Sequence, residues 1–482
     1  MRARPTVMVL ALLGALLACP PWLTLATCSA DADCDTGYCG PDGLCVAGTP
    51  PSPGALPCGE CLTEPHAVTV LAASSAPLLP AHSADALVPG VVVLDEDGRV
   101  WVVAPDGGVV LQHQWDAGNA AAFAALPGSG ARPPMWVVRQ EDDPQARFYA
   151  LDGGVLEESL PAVASAPAQQ PPVTLSHDDA GLVAIPDRTG QVTVTAAGLP
   201  QRPVTTLLNG VGGPLFVSAC PELGLLVADS AAGLSVMRYA WDPVQLSPSL
   251  TPVLPTVAED GITPVTPPVI VVEAPGRVAV YGFRNLPGAR VTRLTVELGE
   301  EDEEEPARLL EPPHRFTSDE PLSGPPVVVR EGGEARVALP SAWGSLRVVR
   351  RESDGQLSAT RWRIPSPDGG APLLGAVSLH LNPQDPSDTV VVGDLAGWVM
   401  AVRSDGPVAV DAGWPFRLPG AVEVPPVVRA HGERLMLNLV TRGDGGVLVH
   451  SRLVGRTSAG AAPVWPEYQH DDGNSGCIHL AP

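Results

Sequence analysis

Cysteine is the residue type in this 482-residue chain most able to do chemistry, and the nine cysteines fall into groups by spacing. Four stand as Cys28-x5-Cys34-x4-Cys39-x5-Cys45, with Asp31, Asp33, Gly37, Pro41, Asp42 and Gly43 between them. So short a segment has no hydrophobic core, so cross-links must hold its shape, either two disulfides or a zinc ion. The five-residue spacings favour disulfides. First-to-third and second-to-fourth is the pairing we expect among the three connectivities that sequence leaves open. Cys58-Gly59-Glu60-Cys61 has the spacing of a redox dithiol. No helical pattern follows whose amino terminus could lower a thiol pKa, so a structural disulfide is the plainer reading. Cys220 and Cys477 are far apart in sequence and can bond only if the fold joins their segments.

Other chemistry-bearing groups are isolated. Asp95-Glu96-Asp97-Gly98 has the acidity of a calcium loop but lacks further oxygen ligands at alternating positions, since Arg99-Val100-Trp101 follows; it reads as a hairpin turn. His177-Asp178-Asp179 and His470-Asp471-Asp472 have no second motif at ligand spacing, and turn or docking roles suit them better than metal or acid–base roles. Glu300-Glu301-Asp302-Glu303-Glu304-Glu305 reads as a solvated loop. The chain contains no G-x-S-x-G, H-E-x-x-H or Walker loop. No catalytic residue, metal ligand or cofactor is therefore assigned.

The elements that must carry these groups are short strands. Pro 55 and Gly 50 indicate many turns and few long helices, while 45% hydrophobic content supplies a large core. Val91-Val92-Val93-Leu94, Arg99-Val100-Trp101-Val102-Val103 and Val109-Val110-Leu111, joined by Asp-Gly turns, read as strand, turn, strand, turn, strand. Such a meander cannot bury both faces alone. Strand starts marked by proline recur at Pro89, Pro134, Pro172, Pro214, Pro268, Pro326, Pro372 and Pro426, about 38 to 58 residues apart, the range of a propeller blade. Proline suits a strand's first residue, where the ladder does not yet need an N–H. Asp152-Gly153-Gly154-Val155 and Asp444-Gly445-Gly446-Val447 repeat Asp106-Gly107-Gly108-Val109 and are expected at the same turn of each blade. The expectation is an all-β propeller of eight four-stranded blades over residues 66–482. The seventh start is the least marked, so seven or six blades stay open.

The amino terminus carries an address. Arg2 and Arg4 precede the apolar run Val7 to Ala18, which fits a signal peptide over residues 1–18 and is too short to span a membrane. Leu16-Leu17-Ala18-Cys19 resembles the bacterial lipobox, which implies lipidation of Cys19 and leaves eight cysteines to pair. Ordinary secretion, with cleavage near Ala26 or Thr27, is the alternative. Residues 19–45 then form a lipid-anchored, cysteine-rich module. Its Asp31-Ala32-Asp33-Cys34-Asp35-Thr36-Gly37-Tyr38-Cys39 resembles the D-x-D-C-x-x-G-x-C repeats of exported proteins. Residues 46–65 are a proline- and glycine-rich linker holding the propeller off the membrane.

The repeated "P-P-V-V-V, turn, R-V-x-V, x-D-G-x-V" resembles the repeats of PQQ-like, quinoprotein-type propellers. Gly413-Trp414-Pro415 resembles the inter-blade G-W-P of exported bacterial propellers, and Trp465-Pro466-Glu467-Tyr468-Gln469-His470-Asp471 through Gly476 is similar to a carboxy-terminal element of those propellers. Closure of the ring falls either to that element, with Trp465, Pro466, Tyr468, His470, Asp471 and Gly476, or to the strand-like His66 to Leu71. The resemblance implies a propeller and, for its enzymes, a quinone with calcium. The chain has no adjacent cysteine pair of the kind many such enzymes place over the quinone. A formal charge of −24 repels nucleic acid and anionic lipid. The expected function is a monomeric, non-enzymatic envelope lipoprotein binding a protein or glycan, anchored to the membrane by lipid only. A quinoprotein-type dehydrogenase and an accessory subunit of outer-membrane protein assembly are the alternatives.

Overall fold

Runs such as Val91–Leu94 are apolar at every position, so they need apolar partners on both faces, and the fold supplies them by setting blade against blade. The computed structural model describes residues 38–39, 45–46, 67–71, 82–83 and most of 89–480. Within 67–480 these residues form eight sheets whose innermost strands succeed one another around an axis, an eight-bladed β-propeller. The described residues include a 3-10 turn, Pro221–Leu223, and among them no helix is long and apolar enough to cross a membrane.

Among the described residues, seven apolar clusters lie between the blades. Along Val91–Leu94, Val91 and Val93 pack with Val427, Val440, Val447 and Val449 of blade 8, whereas Val92 and Leu94 pack with Trp136 and Val138 of blade 2. Alternation of side chains along one strand thus feeds two interfaces, and each fully buried Val or Leu stabilises the ring by about 1.5–3 kcal/mol. Trp414 and Phe416, with ring centroids 5.0 Å apart, fill the interface between blades 7 and 8, so the Trp-Pro element is inter-blade.

A turn device recurs that holds second and third strands together. Asp95, Asp187 and Asp394 each precede a glycine by three positions, and Gly98, Gly190 and Gly397 have φ of 77°, 84° and 86°. Each carboxylate is buried and accepts backbone N–H groups across the turn: from Arg99 at 2.9 Å, from Thr189 and Gln191 at 2.7 and 3.1 Å, and from Ala396 and Trp398 at 2.9 and 2.8 Å. The Asp95 turn is therefore structural. Asp394→Ala leaves two donors without this acceptor and is expected to cost about 1–3 kcal/mol, read as a lowered urea midpoint. An unchanged midpoint would show the cap to be dispensable.

Six of the eight prolines open innermost strands, but Pro89 and Pro134 open second strands. The innermost strands of blades 1 and 2 are His82–Ser83 and Ala121–Leu126. One is two residues long, and the other is alanine-rich, with Ala124 and Ala125 fully buried where strands converge on the axis. Neither has the β-branched composition that marks a strand in sequence. The Asp-Gly-Gly turns also differ in place. Those after Asp106 and Asp152 join third to fourth strands, whereas that after Asp444 joins second to third, because the fourth strand of blade 8 comes from the other end of the chain.

That strand is Ala67–Val70, paired antiparallel with Gly446–Arg456 through Ala67↔Ser451 and Val70↔Leu448. Thr69 Oγ1 donates to Gly107 O at 2.7 Å, tying it to blade 1. The amino-terminal candidate thus completes the last blade. The carboxy-terminal segment does not take that place: its described strands add to inner edges, Ala462–Trp465 beside Leu373–His380 of blade 7 and Cys477–His479 parallel to Val269–Ala274 of blade 5. An outer place on Gly446–Arg456 is already filled, while the inner edges of blades 5 and 7 still offer unpaired backbone groups that the last strands satisfy.

His450, on the third strand of blade 8, is 2% exposed with Nε2 3.0 Å from Thr441 Oγ1. Burial, aided by Arg452, pushes its pKa from 6.5 down to about 4. The unfolded chain then binds a proton that the native chain refuses, so stability is fully present above about pH 6.5 and falls as pH drops toward 4, by roughly 3 kcal/mol. His450→Gln should flatten that limb of a urea-midpoint-against-pH profile. A limb of equal slope in the variant would assign it to other groups.

Candidate functional site

The carboxy-terminal strand builds a polar site beside the axis. Cys477–His479 runs between the innermost strands of blades 4 and 5. Its register on blade 5 is Ile270↔Cys477, Val271↔Ile478 and Val272↔His479, and Leu480 N donates to Val272 O at 3.1 Å. On blade 4, Ala219 N donates to Ser475 O at 2.7 Å. Gly476 lies at the crossing with φ of 66°, and a Cβ there would stand 2.6 Å from Ser218 Oγ, so only glycine lets the chain approach so closely.

This placement brings Cys220, the last residue of Leu215–Cys220, to Cys477, and the two form a disulfide with Cα atoms 5.1 Å apart. His479 follows two residues later on the same strand, so its side chain leaves on the same face as that of Cys477. Its Nε2 lies 3.8 Å from Cys220 Sγ and 2.8 Å from Glu222 Oε2 on the 3-10 turn. A cavity of about 360 Å³ opens beside the disulfide, lined by Glu222, Arg330, Val464, Ser475, Ile478 and His479 among others. Arg330 enters from the innermost strand of blade 6; its backbone N–H and guanidinium both reach Asp388, at 2.6 and 3.2 Å, and Asp388 Oδ1 is 3.2 Å from His380 Nδ1.

The cavity therefore presents a disulfide, an imidazole–carboxylate pair and a guanidinium held by a buried carboxylate. It has the groups to bind a small polar ligand. Among the described residues here there is no activated nucleophile with its base. Cys220 and Cys477 meet across blades rather than as a sequence-adjacent pair, and the inner edges of blades 5 and 7 carry the chain's own last strands.

Of the residues singled out by sequence, Cys220, Cys477 and Gly476 meet here. Trp465 lies on the strand beside blade 7, in register with Ser378. Cys39 and Cys45 are Cα partners in a two-stranded antiparallel pair, Tyr38–Cys39 with Cys45–Val46. Cys19, Cys28, Cys34, Cys58, Cys61, Pro466, Tyr468, His470 and Asp471 lie outside the described residues, as do His177-Asp178-Asp179 and the acidic run 300–305. Sequence reasoning missed His479 and Glu222. The available signal was Cys477-Ile478-His479 in a strand, since i and i+2 share a face.

No family model matches the chain, and no curated protein matches it. Solved structures similar to it include BBS1N in complex with ARL6DN soaked with lead, 14% identical over 83% of this chain and 98% of that chain with a TM-score of 0.47. The mercury-soaked form of that complex is 14% identical over 82% and 97%, with a TM-score of 0.46. Dihydro-heme d1 dehydrogenase NirN in complex with DHE is 14% identical over 80% of each chain, with a TM-score of 0.47. Likenesses this distant do not bear on what this chain binds, and the blade count rests on its own sheets.

Proposed function

We propose that this chain is an exported, lipid-anchored envelope protein whose propeller is a non-enzymatic scaffold for a protein or glycan partner. The observation that carries this reading is the Cys220–Cys477 disulfide fastening the last strand beside the axis. A disulfide between buried cysteines belongs to an oxidising compartment, in keeping with the leader at residues 1–18 and the lipobox at Cys19. A strand fastened there also leaves the inter-strand loops and outer edges as the surfaces free to meet a large partner. Cysteine-rich residues 28–45 and the linker 46–65 would then serve as spacer and tether. The quinone-bearing alternative gains nothing from the axis as built.

Cell fractionation tests the address. The full chain should enter the membrane fraction, and Cys19→Ser should move it to the soluble exported fraction; membrane attachment of the variant would overturn lipid anchoring. Chemical crosslinking on intact envelopes, followed by mass spectrometry, tests the role. The same partner should be recovered with the anchored and the released chain. Dye reduction with added quinone and calcium above a boiled control would instead make the protein an enzyme.

A further inference from the structure

Three soft-metal donors converge at the disulfide. The ligand atoms of Cys220, Cys477 and His479 all lie within 4.8 Å of one another, and each sits on a strand or strand end fixed by the ring's hydrogen-bond ladders. Cys220 ends the innermost strand of blade 4, while Cys477 and His479 share a face of the last strand. The 3.8 Å between His479 Nε2 and Cys220 Sγ is close to the edge of a tetrahedron drawn around an ion with Zn–S of about 2.3 Å and Zn–N of about 2.0–2.1 Å. Glu222, with its carboxylate already 2.8 Å from Nε2 and mostly exposed, can swing onto the ion as a fourth ligand. The cavity beside the disulfide provides entry and room for a bound water.

We propose that the dithiol form of this protein binds one Zn²⁺-like divalent cation through Cys220, Cys477 and His479, so that the carboxy-terminal strand has two alternative clamps, a disulfide when oxidised and a metal when reduced. The balance is simple. A dithiol reductant gives two electrons and two protons to the Cys220–Cys477 bond and itself becomes a disulfide. On metal binding the two thiols lose their protons and the thiolates, with the neutral imidazole, take the ion. Because the ladder to blade 5 and the Ala219–Ser475 bond hold both sides in place, breaking the S–S bond separates the sulfurs without dispersing the donors. This proposal stands apart from the scaffold reading, since either can fail alone.

Co²⁺ is the probe, added to the full chain after treatment with a phosphine reductant and removal of the excess. Because the other cysteines of the chain could also take metal, the measurement is a difference. Reduced wild type should bind one more Co²⁺ than Cys220→Ser, with the visible bands of a tetrahedral thiolate site. His479→Gln, a partly exposed position that should fold normally, removes a ligand outright and should weaken that ion by at least the roughly 10-fold to 100-fold that losing even an outer-shell partner of a ligand costs. The oxidised wild type should lack it, and Zn²⁺ should raise the melting temperature of the reduced wild type by more than that of reduced His479→Gln. Equal uptake and equal spectra in wild type and both variants would overturn the proposal, as would uptake by the oxidised protein that His479→Gln abolishes.

Discussion

Arg284→Met is expected to lower the unfolding free energy of the ring by about 3–5 kcal/mol at pH 8, because it strands a carboxylate in the core. Asp229, on the second strand of blade 4, and Arg284, on the second strand of blade 5, are both buried and form an ion pair between the blades. The guanidinium also donates to Ser230 O at 3.1 Å and Ile262 O at 3.0 Å. Burial outweighs the attraction of Arg284 and pushes the Asp229 carboxyl from 3.8 up to about 7. The native chain thus keeps a proton that the unfolded chain releases near pH 4, so this group's contribution to stability falls as pH rises from about 4 through 7. Without Arg284 the penalty on the charged form grows, so the defect should be larger at pH 8 than at pH 5, where Asp229 can be neutral. Asp229→Leu combined with Arg284→Met should recover part of the loss. Urea unfolding at both pH values decides it. A variant as stable as wild type at pH 8 would mean that the pair contributes nothing.

Cys477→Ala should cost about 5 kcal/mol under non-reducing conditions. The Cys220–Cys477 bond joins residues 257 apart, and closing so long a loop removes the most entropy from the unfolded chain. Wild type treated with reductant in the presence of a chelator should fall to the variant's level. A guanidinium midpoint equal to that of the oxidised wild type would show that strand pairing alone holds the last segment.

The ring was legible in sequence where its physics is local. Continuous Val runs bounded by proline and glycine announce strands buried on both faces, and their recurrence announces blades. What escaped depends on position around the axis. Ala121–Leu126 gives no β signal, yet alanine is what fits where strands crowd. Asp187 and Asp394 look like ordinary polar turn residues until their carboxylates are seen buried against backbone donors. The meeting of Cys220 with Cys477 and His479 joins residues whose separation along the chain carries no record of their proximity; only the i, i+2 relation of the last pair could have been read beforehand.

Both ends of the propeller are built into sheets made by other parts of the chain, and this sets the order in which it can fold. Blade 8 lacks its outer strand until Ala67–Val70 finds residues from near the other terminus, and blade 5 lacks its inner neighbour until Cys477–His479 arrives. Contacts of such sequence separation form late and slowly. Until both pairings form, blades 8 and 5 each lack a strand at one edge and the ring stays open. Closure at one edge and fastening near the axis then turn an open array of blades into a rigid body.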